Sequence, residues 1–327
     1  MPCNGWRNLE EPNIPKVHLL PIVLIIFILY NEPHQPMIKR IAKYASLILL
    51  GILLIVAIFF AYANHSVNQR FEKTYAVNIK PFQVHADSAT LALGGHLAIT
   101  KGCRDCHADD MGGKVLIDDP MLGRISPSNL TSGKGGIAKS YSTEDWVKAI
   151  RHGINQDSKP LMLMPSQELN VLTEKDLNAL IAYCQSLPPV DRELPENTLK
   201  PLGVVLTHLN KIHMISAEVI DHNTEMVVEI PNEVSLEHGK YLAVSCTGCH
   251  HPDFKGGPSP IPGSPEVANI TQSGHLGRWS ETQFIAALRT GLTPEGKQLA
   301  NEYMPWQMTS AYTDTELKSI YLYLKSL

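Results

Sequence analysis

The sequence predicts an all-α protein in which two small tandem helical units follow one N-terminal transmembrane helix. Three observations predict it. Residues 45–63 (ASLILLGILLIVAIFFAYA) contain no charge, a run long enough to cross a bilayer. The pentapeptide C-x-x-C-H occurs at Cys103-Arg104-Asp105-Cys106-His107 and again at Cys246-Thr247-Gly248-Cys249-His250. Around the two copies the chain repeats itself at offsets of 138 to 144 residues, which marks a duplicated unit of about ninety residues.

Taken in order, residues 1–36 are an N-terminal extension whose place in the mature protein is open. Its apolar stretch, residues 17–30, has only fourteen residues and would reach about 21 Å as a helix, short of a core of about 30 Å. Met37 opens a basic segment followed by a long apolar one, the pattern of an uncleaved signal anchor and a plausible true start. A hairpin with Lys39 and Arg40 in its turn satisfies the charge rule equally well. Residues 41–63 form the span. Lys39, Arg40 and Lys43 precede it, and the next basic residues are Arg70 and Lys73. This asymmetry favours a cytoplasmic N-terminus with the bulk of the chain outside.

Residues 64–88 read as a linker, 89–190 as the first unit, 191–235 as a second linker and 236–327 as the second unit. Each unit holds three helical stretches. Residues 91–101 and 236–245 lead into the C-x-x-C-H motifs. Residues 142–151 and 280–289 start at Ser142 and Ser280 and stop at Gly153 and Gly291. Residues 173–186 and 313–326 begin on a Thr followed by acidic residues. Gly- and Pro-rich loops lie between them. The second linker starts polar, and residues 202–215 have one apolar face that suits an amphipathic helix.

C-x-x-C-H is the attachment signature of c-type haem. Cysteines three apart share one side of a short helix and can form thioethers to the two vinyl groups, while the histidine reaches the iron. Two motifs imply two covalently bound haems with Cys103, Cys106, Cys246 and Cys249 as attachment points and His107 and His250 as iron ligands. Zinc would need further Cys or His ligands at short spacing, and His251 is the one neighbouring candidate. Cys3 and Cys184 stand apart. Haem attachment to this motif is completed outside the cytoplasmic membrane in bacteria, the same orientation the charges give.

The opposite axial position separates electron carriers from gas-binding or peroxide-using proteins. The repeat nominates methionine. Met164-Pro165 falls on Met304-Pro305, whereas Met162 falls on Glu302. A single loop methionine is ordinarily a gap filler, but recurrence beside a proline in both halves selects Met164 and Met304. A pair of His/Met sites has a raised potential and no open position.

Each half resembles a class I cytochrome c domain, and the whole resembles a membrane-anchored di-haem c-type cytochrome. The residues carrying the likeness are the two motifs, Asn129-Leu130-Thr131 and Asn269-Ile270-Thr271, Tyr141-Ser142 and Trp279-Ser280, and the Met-Pro loops. Similar domains occur in cytochrome c subunits of bacterial membrane-bound alcohol, gluconate and sorbitol dehydrogenases. Those subunits commonly carry three haems and a C-terminal anchor, unlike the arrangement here.

The resemblance implies electron transfer on the periplasmic face of a bacterial cytoplasmic membrane, and no catalytic residue of its own. Redox protein partners follow: a dehydrogenase, a quinol-linked complex, an oxidase or a soluble cytochrome. It also implies propionate contacts for Asn129, Thr131, Asn269 and Thr271, with turn formation as the plain alternative. Tyr141 and Trp279 either reach a propionate or pack in the core. Arg151, Arg289 and the unmatched histidines His96, His152, His208, His213, His238 and His275 read as solvated helix ends or surface residues. A di-haem peroxidase is the competing enzyme reading, disfavoured by matched methionines, and a non-catalytic subunit of a dehydrogenase complex is compatible with the first. From Asn64 onward the chain has 23 Lys+Arg (28 less the five before it) and 29 Asp+Glu (32 less three), a formal charge of −6. That balance suggests no nucleic-acid partner.

Overall fold

The computed structural model describes residues 36–260 and 263–327, so the expected extension over residues 1–36 lies almost wholly outside the described residues. Two units form, one ending at Ile58 and one beginning at Phe59. Helix α1 runs Met37–Glu72, longer at both ends than the 41–63 span, and starts at the residue after Pro36. Up to Ile58 its large apolar side chains, including Ile48, Leu53 and Ile55, are exposed. A helix that is long, apolar and unburied is suited to lipid, and α1 is the one such helix among the described residues. Beyond Phe59, Ala63 and Val67 are buried with Val204, and Arg70 forks onto Glu218 at 2.6 and 2.8 Å while donating to Thr207 O at 2.9 Å.

In the first repeat, α2 (Ser88–Thr100) is capped by Asp87 and leads into α3 (Cys103–His107). Helix α4 (Thr143–Val147) begins with a capping box between Ser142 and Asp145 and continues as a π-helical turn, Lys148–His152, stopped by Gly153 at φ 64°. Helices α5 (Ser166–Leu169) and α6 (Glu174–Ser186) follow, α6 capped by Thr173. After α7 (Pro201–His208) the second repeat gives α8 (Leu236–Ala243), α9 (Thr247–His250), α10 (Glu281–Thr290), α11 (Trp306–Thr309) and α12 (Asp314–Lys325). Helix α10 has a Ser280–Gln283 capping box and stops at Gly291. The helix boundaries expected from Ser, Thr and Gly are therefore the observed ones to within a few residues.

In each repeat the first and last helices cross at a glycine. A Cβ at Gly94 would lie 2.0 Å from Ala179 O, and one at Gly239 2.0 Å from Ser319 O. Gly94 is thus the structural equivalent of Gly239, with the helix-to-motif distance two residues longer in the first repeat.

The connecting segment is less free than its composition implies. A small antiparallel sheet joins β1 (Ile117–Asp119), β2 (Gly123–Ile125) and β3 (Thr198–Leu199), so the residues just after 190 lie on the first repeat and not in a loose linker. Helix α7 is shorter than the expected 202–215 stretch because Leu209 and Asn210 close it, Asn210 at φ 52°. Further along, His222 stacks on the buried His152, with Nδ1 atoms 3.0 Å apart. Burial, with His222 and Arg151 nearby, lowers His152 to about 4.

The two repeats share one apolar core that includes Leu97, Trp146, Leu177 and Leu180 from the first and Leu242, Phe284, Leu317 and Ile320 from the second. Across it runs a reciprocal polar lock. His96 Nε2 lies 2.9 Å from Glu316 Oε1, and Tyr241 Oη donates to Asp176 Oδ2 at 2.5 Å. With Gly94 and Gly239 superposed, His96 corresponds to Tyr241, and Asp176 corresponds to Glu316 by the repeat. Tyr312 Oη donates to Thr100 O at 3.1 Å, and Lys101 Nζ to Ser245 Oγ at 3.2 Å. The hydrogen bond to Glu316 raises the pKa of His96. Burial would raise that of Glu316, but His96 and Thr313 hold it below the usual range. His96 and His152 are therefore interior partners, not surface residues.

The two histidines set opposite limbs of a stability profile. His152 binds a proton readily only when unfolded, so its contribution is present above pH about 6.5 and is lost towards pH 4, at most about 1.4 kcal/mol per pH unit. His96 binds its proton more tightly when folded, so its contribution is full below 6.5 and is lost as pH rises through its raised value. Chemical denaturation from pH 4 to 9 should give a maximum between these limbs. His152→Asn should flatten the acid limb and His96→Gln the alkaline one.

Candidate functional site

Both C-x-x-C-H segments fold alike. The residue after the histidine turns back in the positive-φ region, Ala108 at 66° and His251 at 62°, followed by Met111 at 57° and Phe254 at 58°. Main-chain bonds then repeat: Gly113 N to His107 O at 2.8 Å and Gly256 N to His250 O at 3.2 Å, Leu130 N to Met111 O at 2.8 Å and Ile270 N to Phe254 O at 3.0 Å. Positive φ at non-glycine positions costs free energy and persists only where surrounding bonds impose it.

These turns place each histidine against a carbonyl. His107 Nδ1 donates to Ser128 O at 2.7 Å and His250 Nδ1 to Ala268 O at 2.8 Å. A carbonyl can only accept, so the proton sits on Nδ1 and the Nε2 lone pair is left for a metal. Burial lowers the pKa of both rings, which favours the neutral form a ligand requires. Cys103, Cys106, Cys246 and Cys249 are unpaired and half-buried. Burial pushes the Cys103 and Cys246 thiols up to about 12, so neither is a thiolate at neutral pH. Among the described residues no cluster of three or more His, Cys, Asp or Glu side chains could hold an ion. Protonated thiols weigh against thiol-redox chemistry.

The Met-Pro loops are also congruent. Ser166 N donates to Met164 O at 2.8 Å and Trp306 N to Met304 O at 2.7 Å, across Pro165 (φ −79°, ψ 50°) and Pro305 (φ −74°, ψ 66°). This is an inverse γ-turn, for which proline's fixed φ is ready-made. Met164 packs on the shared core together with Cys103 and Cys246, whereas Met162 lies in a separate cluster with Met214 and Ile215. Met304 is half-buried and Glu302 is exposed.

Arg151 and Arg289, expected as solvated helix ends, clamp these loops. Arg151 Nε and Nη2 donate to Asn170 O at 3.0 and 2.8 Å, and Arg289 Nη1 donates to Ser310 O at 2.7 Å. Ser166 Oγ and Thr309 Oγ1 reach back to Ala149 O and Leu288 O, each at 2.8 Å. Asn129 and Thr131 spend their polar atoms on their own loop and on Val190, and Asn269 and Thr271 form the same turn. Trp279 Nε1 donates to Glu295 Oε1 at 2.8 Å.

A group with acceptor oxygens suits another residue. Trp146 is 2% exposed, and its indole Nε1 has no hydrogen-bond partner. An orphaned buried donor beside the motif-bearing core, with the two histidine lone pairs and paired cysteines, fits a covalently attached haem. Recurrence did not reveal Trp146, since its repeat counterpart is Phe284. Its signal was an aromatic residue one position past the Ser142–Asp145 capping box.

Comparison with known families matches residues 236–327 to a model described as Cytochrome c, and residues 92–184 to one described as Cytochrome C oxidase, cbb3-type, subunit III. The chain carries two cytochrome c domains. Cytochrome c domains hold covalently bound haem c and transfer electrons, so this chain is an electron carrier and not a catalytic subunit.

The paired cytochrome domains are similar to the fructose dehydrogenase cytochrome subunit of Gluconobacter japonicus, 28% identical over 76% of this chain and 54% of that protein. They are also similar to the cytochrome c subunit of the quinone alcohol dehydrogenase of Gluconacetobacter polyoxogenes (27%; 74% and 57%) and that of the gluconate 2-dehydrogenase of Pantoea cypripedii (27%; 74% and 60%). The chain thus spans little more than half the length of these relatives.

Removing either arginine clamp should loosen a methionine loop. Arg151→Leu leaves Asn170 O buried without its charged donor and should cost about 2 kcal/mol in denaturant unfolding. Arg289→Leu should cost less, because Asp314, its second partner, is exposed.

Proposed function

We propose that the chain is a membrane-anchored di-haem relay, with cytochrome domains at residues 89–190 and 236–327 and lipid contact through residues 41–63. Haem c, when bound, supplies a one-electron iron couple. His107 and Met164 hold one iron, and His250 and Met304 the other. Cys103, Cys106, Cys246 and Cys249 form the thioethers. The observation that carries this reading is the repeated Nδ1-to-carbonyl bond, which presents an oriented Nε2 lone pair in both domains.

The surrounding residues define what such sites do. With haem bound, Met164 and Met304, each set in a proline turn, would complete the iron's ligands, which would suit electron exchange and exclude substrate oxygen species. Trp146 supplies a buried donor for a propionate, and the Asn-x-Thr turns hold the loops that carry Ser128 and Ala268. The basic residues before the span and the periplasmic assembly of c-type haem both support an outer-face location. The likeness to dehydrogenase cytochrome subunits supports a dehydrogenase as electron donor, within a complex whose acceptor lies towards quinone or an oxidase.

Purified protein should give a pyridine haemochrome equivalent to two haems per chain and, when oxidised, the weak near-infrared methionine-to-iron band. Met164→Ala and Met304→Ala should each remove about half of that band and lower one reduction potential. High-spin iron that binds carbon monoxide in the unaltered protein would overturn the assignment and favour a peroxidase-type site.

A further inference from the structure

Helix α7 has one face packed on the protein and one that nothing covers. Gly203, Val204 and Thr207 are buried, and the Thr207 hydroxyl is spent on Gly203 O at 2.7 Å. Val204 clusters with Ala63 and Val67 of α1. The His208 ring stands edge-on to Phe59 and Tyr62, with centroids 5.9 and 5.4 Å away. From Val204 to His208 the contacts thus step back along α1, so α7 runs antiparallel to it and ends beside the last turn of the uncharged run 45–63. Arg70 holds that end in place, donating to Thr207 O at 2.9 Å and to Asn210 Oδ1 at 3.1 Å.

The remaining face is apolar where a surface helix would carry charge. Leu202, Val205, Leu206 and Leu209 recur at helical spacing and form one stripe, and residues 201–209 contain no Asp, Glu, Lys or Arg. Leu202 and Leu209 are exposed, Leu209 at 49%, and Val205 and Leu206 are half-buried. A helix apolar on all sides belongs in a non-aqueous setting. The setting follows from where α7 ends, beside Phe59 and the 63% exposed Tyr62, an aromatic pair at the end of a run suited to lipid. Aromatic side chains gather at that boundary between membrane and water.

We propose that the C-terminal half of α7 dips into the boundary between headgroups and acyl chains of the bilayer that α1 crosses, with Leu206 and Leu209 in contact with lipid. Lys211, exposed just past the turn at Asn210, lies where its ammonium can reach lipid phosphates. The proposal rests on the reading of residues 41–63 as a span. It adds a second point of attachment. A single helix would leave the cytochrome domains free to swing, whereas α1 and α7 together, joined through Arg70 and Val204, fix the height and tilt of the unit on the membrane. They thereby limit which of its surfaces a membrane-bound redox partner can approach.

The test uses the full-length holoprotein in phospholipid nanodiscs, with a fluorophore on one introduced cysteine in a Cys3→Ser background and spin-labelled lipids as quenchers. A probe at Leu209→Cys should be quenched about twofold or more better by a label on the fifth acyl carbon than by one on the twelfth, the depth expected of an interfacial helix. A probe at Leu202→Cys, about 10 Å back along α7, should be quenched less than the one at Leu209→Cys. Ile55→Cys, in the middle of the uncharged run, reports on the span alone and should prefer the label on the twelfth carbon. An Ile55 probe that is quenched beside a Leu209 probe that neither label reaches would overturn the proposal and leave the span standing, the stripe being covered by protein, whether a partner subunit or the apolar residues 17–30. Quenching at neither site would overturn both readings. Should Leu209→Cys fail to fold, Val205→Cys on the same stripe is read by the same criterion.

Discussion

A neutral imidazole offers a metal the nitrogen that carries no proton, and a carbonyl accepting from the other nitrogen fixes which one that is and how the ring is turned; much of the fold around each motif serves that requirement. His107 is fixed by Ser128 O and His250 by Ala268 O. Each carbonyl immediately precedes an Asn-x-Thr turn, and each turn is set by an asparagine side chain that mimics main chain. The positive-φ residues behind the motifs, Ala108 and His251, bring the chain round so that the histidine and its carbonyl meet. The orientation of the two imidazoles is thus a property of these loops as well as of the short helices bearing the cysteines.

Such loop-rich domains have little core of their own, and duplication supplies part of the remedy. The entry helix and last helix of each domain cross at Gly94 and Gly239 in contact too close for any Cβ, and the two crossings then face each other across one apolar cluster. His96–Glu316 and Tyr241–Asp176 sit on this contact as related pairs. In both, the acceptor is the carboxylate two residues inside its helix. Glu316 also closes a capping box with Thr313, so one side chain serves helix initiation and domain pairing. Behind the second motif, Glu168 stands where a Cβ on Gly248 would meet it at 2.3 Å. Burial pushes this carboxyl up to about 7, a further sign of how tightly the domains close.

What the sequence made legible was local. The haem motifs, the Ser142, Thr173, Ser280 and Thr313 caps, the Gly153 and Gly291 stops and the Met-Pro turns each occupy a few consecutive residues, and physical chemistry at that range is readable from composition and spacing. The repeat extended the reading by matching Met164-Pro165 to Met304-Pro305, which form congruent turns. Partners far apart in sequence were not legible. Arg151 looks like the basic end of a helix until Asn170 O is brought to it, and His96 looks like a surface residue until Glu316 arrives from 220 positions away. Recurrence also filtered too strictly: it passed over Trp146, which has Phe284 as its counterpart, and Val190–Arg192, whose segment has no counterpart among the described residues.

That last asymmetry bears on the two sites unequally. In the first domain the carbonyl holding His107 sits next to Asn129, whose amide is bound to a segment of chain pinned in turn by Arg192 on Asp110 at 2.8 Å. In the second, the carbonyl holding His250 sits next to Asn269, restrained by one exposed serine. Hydrogen bonding to the far nitrogen sets both the orientation and the basicity of an imidazole ligand. The carbonyl behind the motif histidine is therefore supported differently in the two domains.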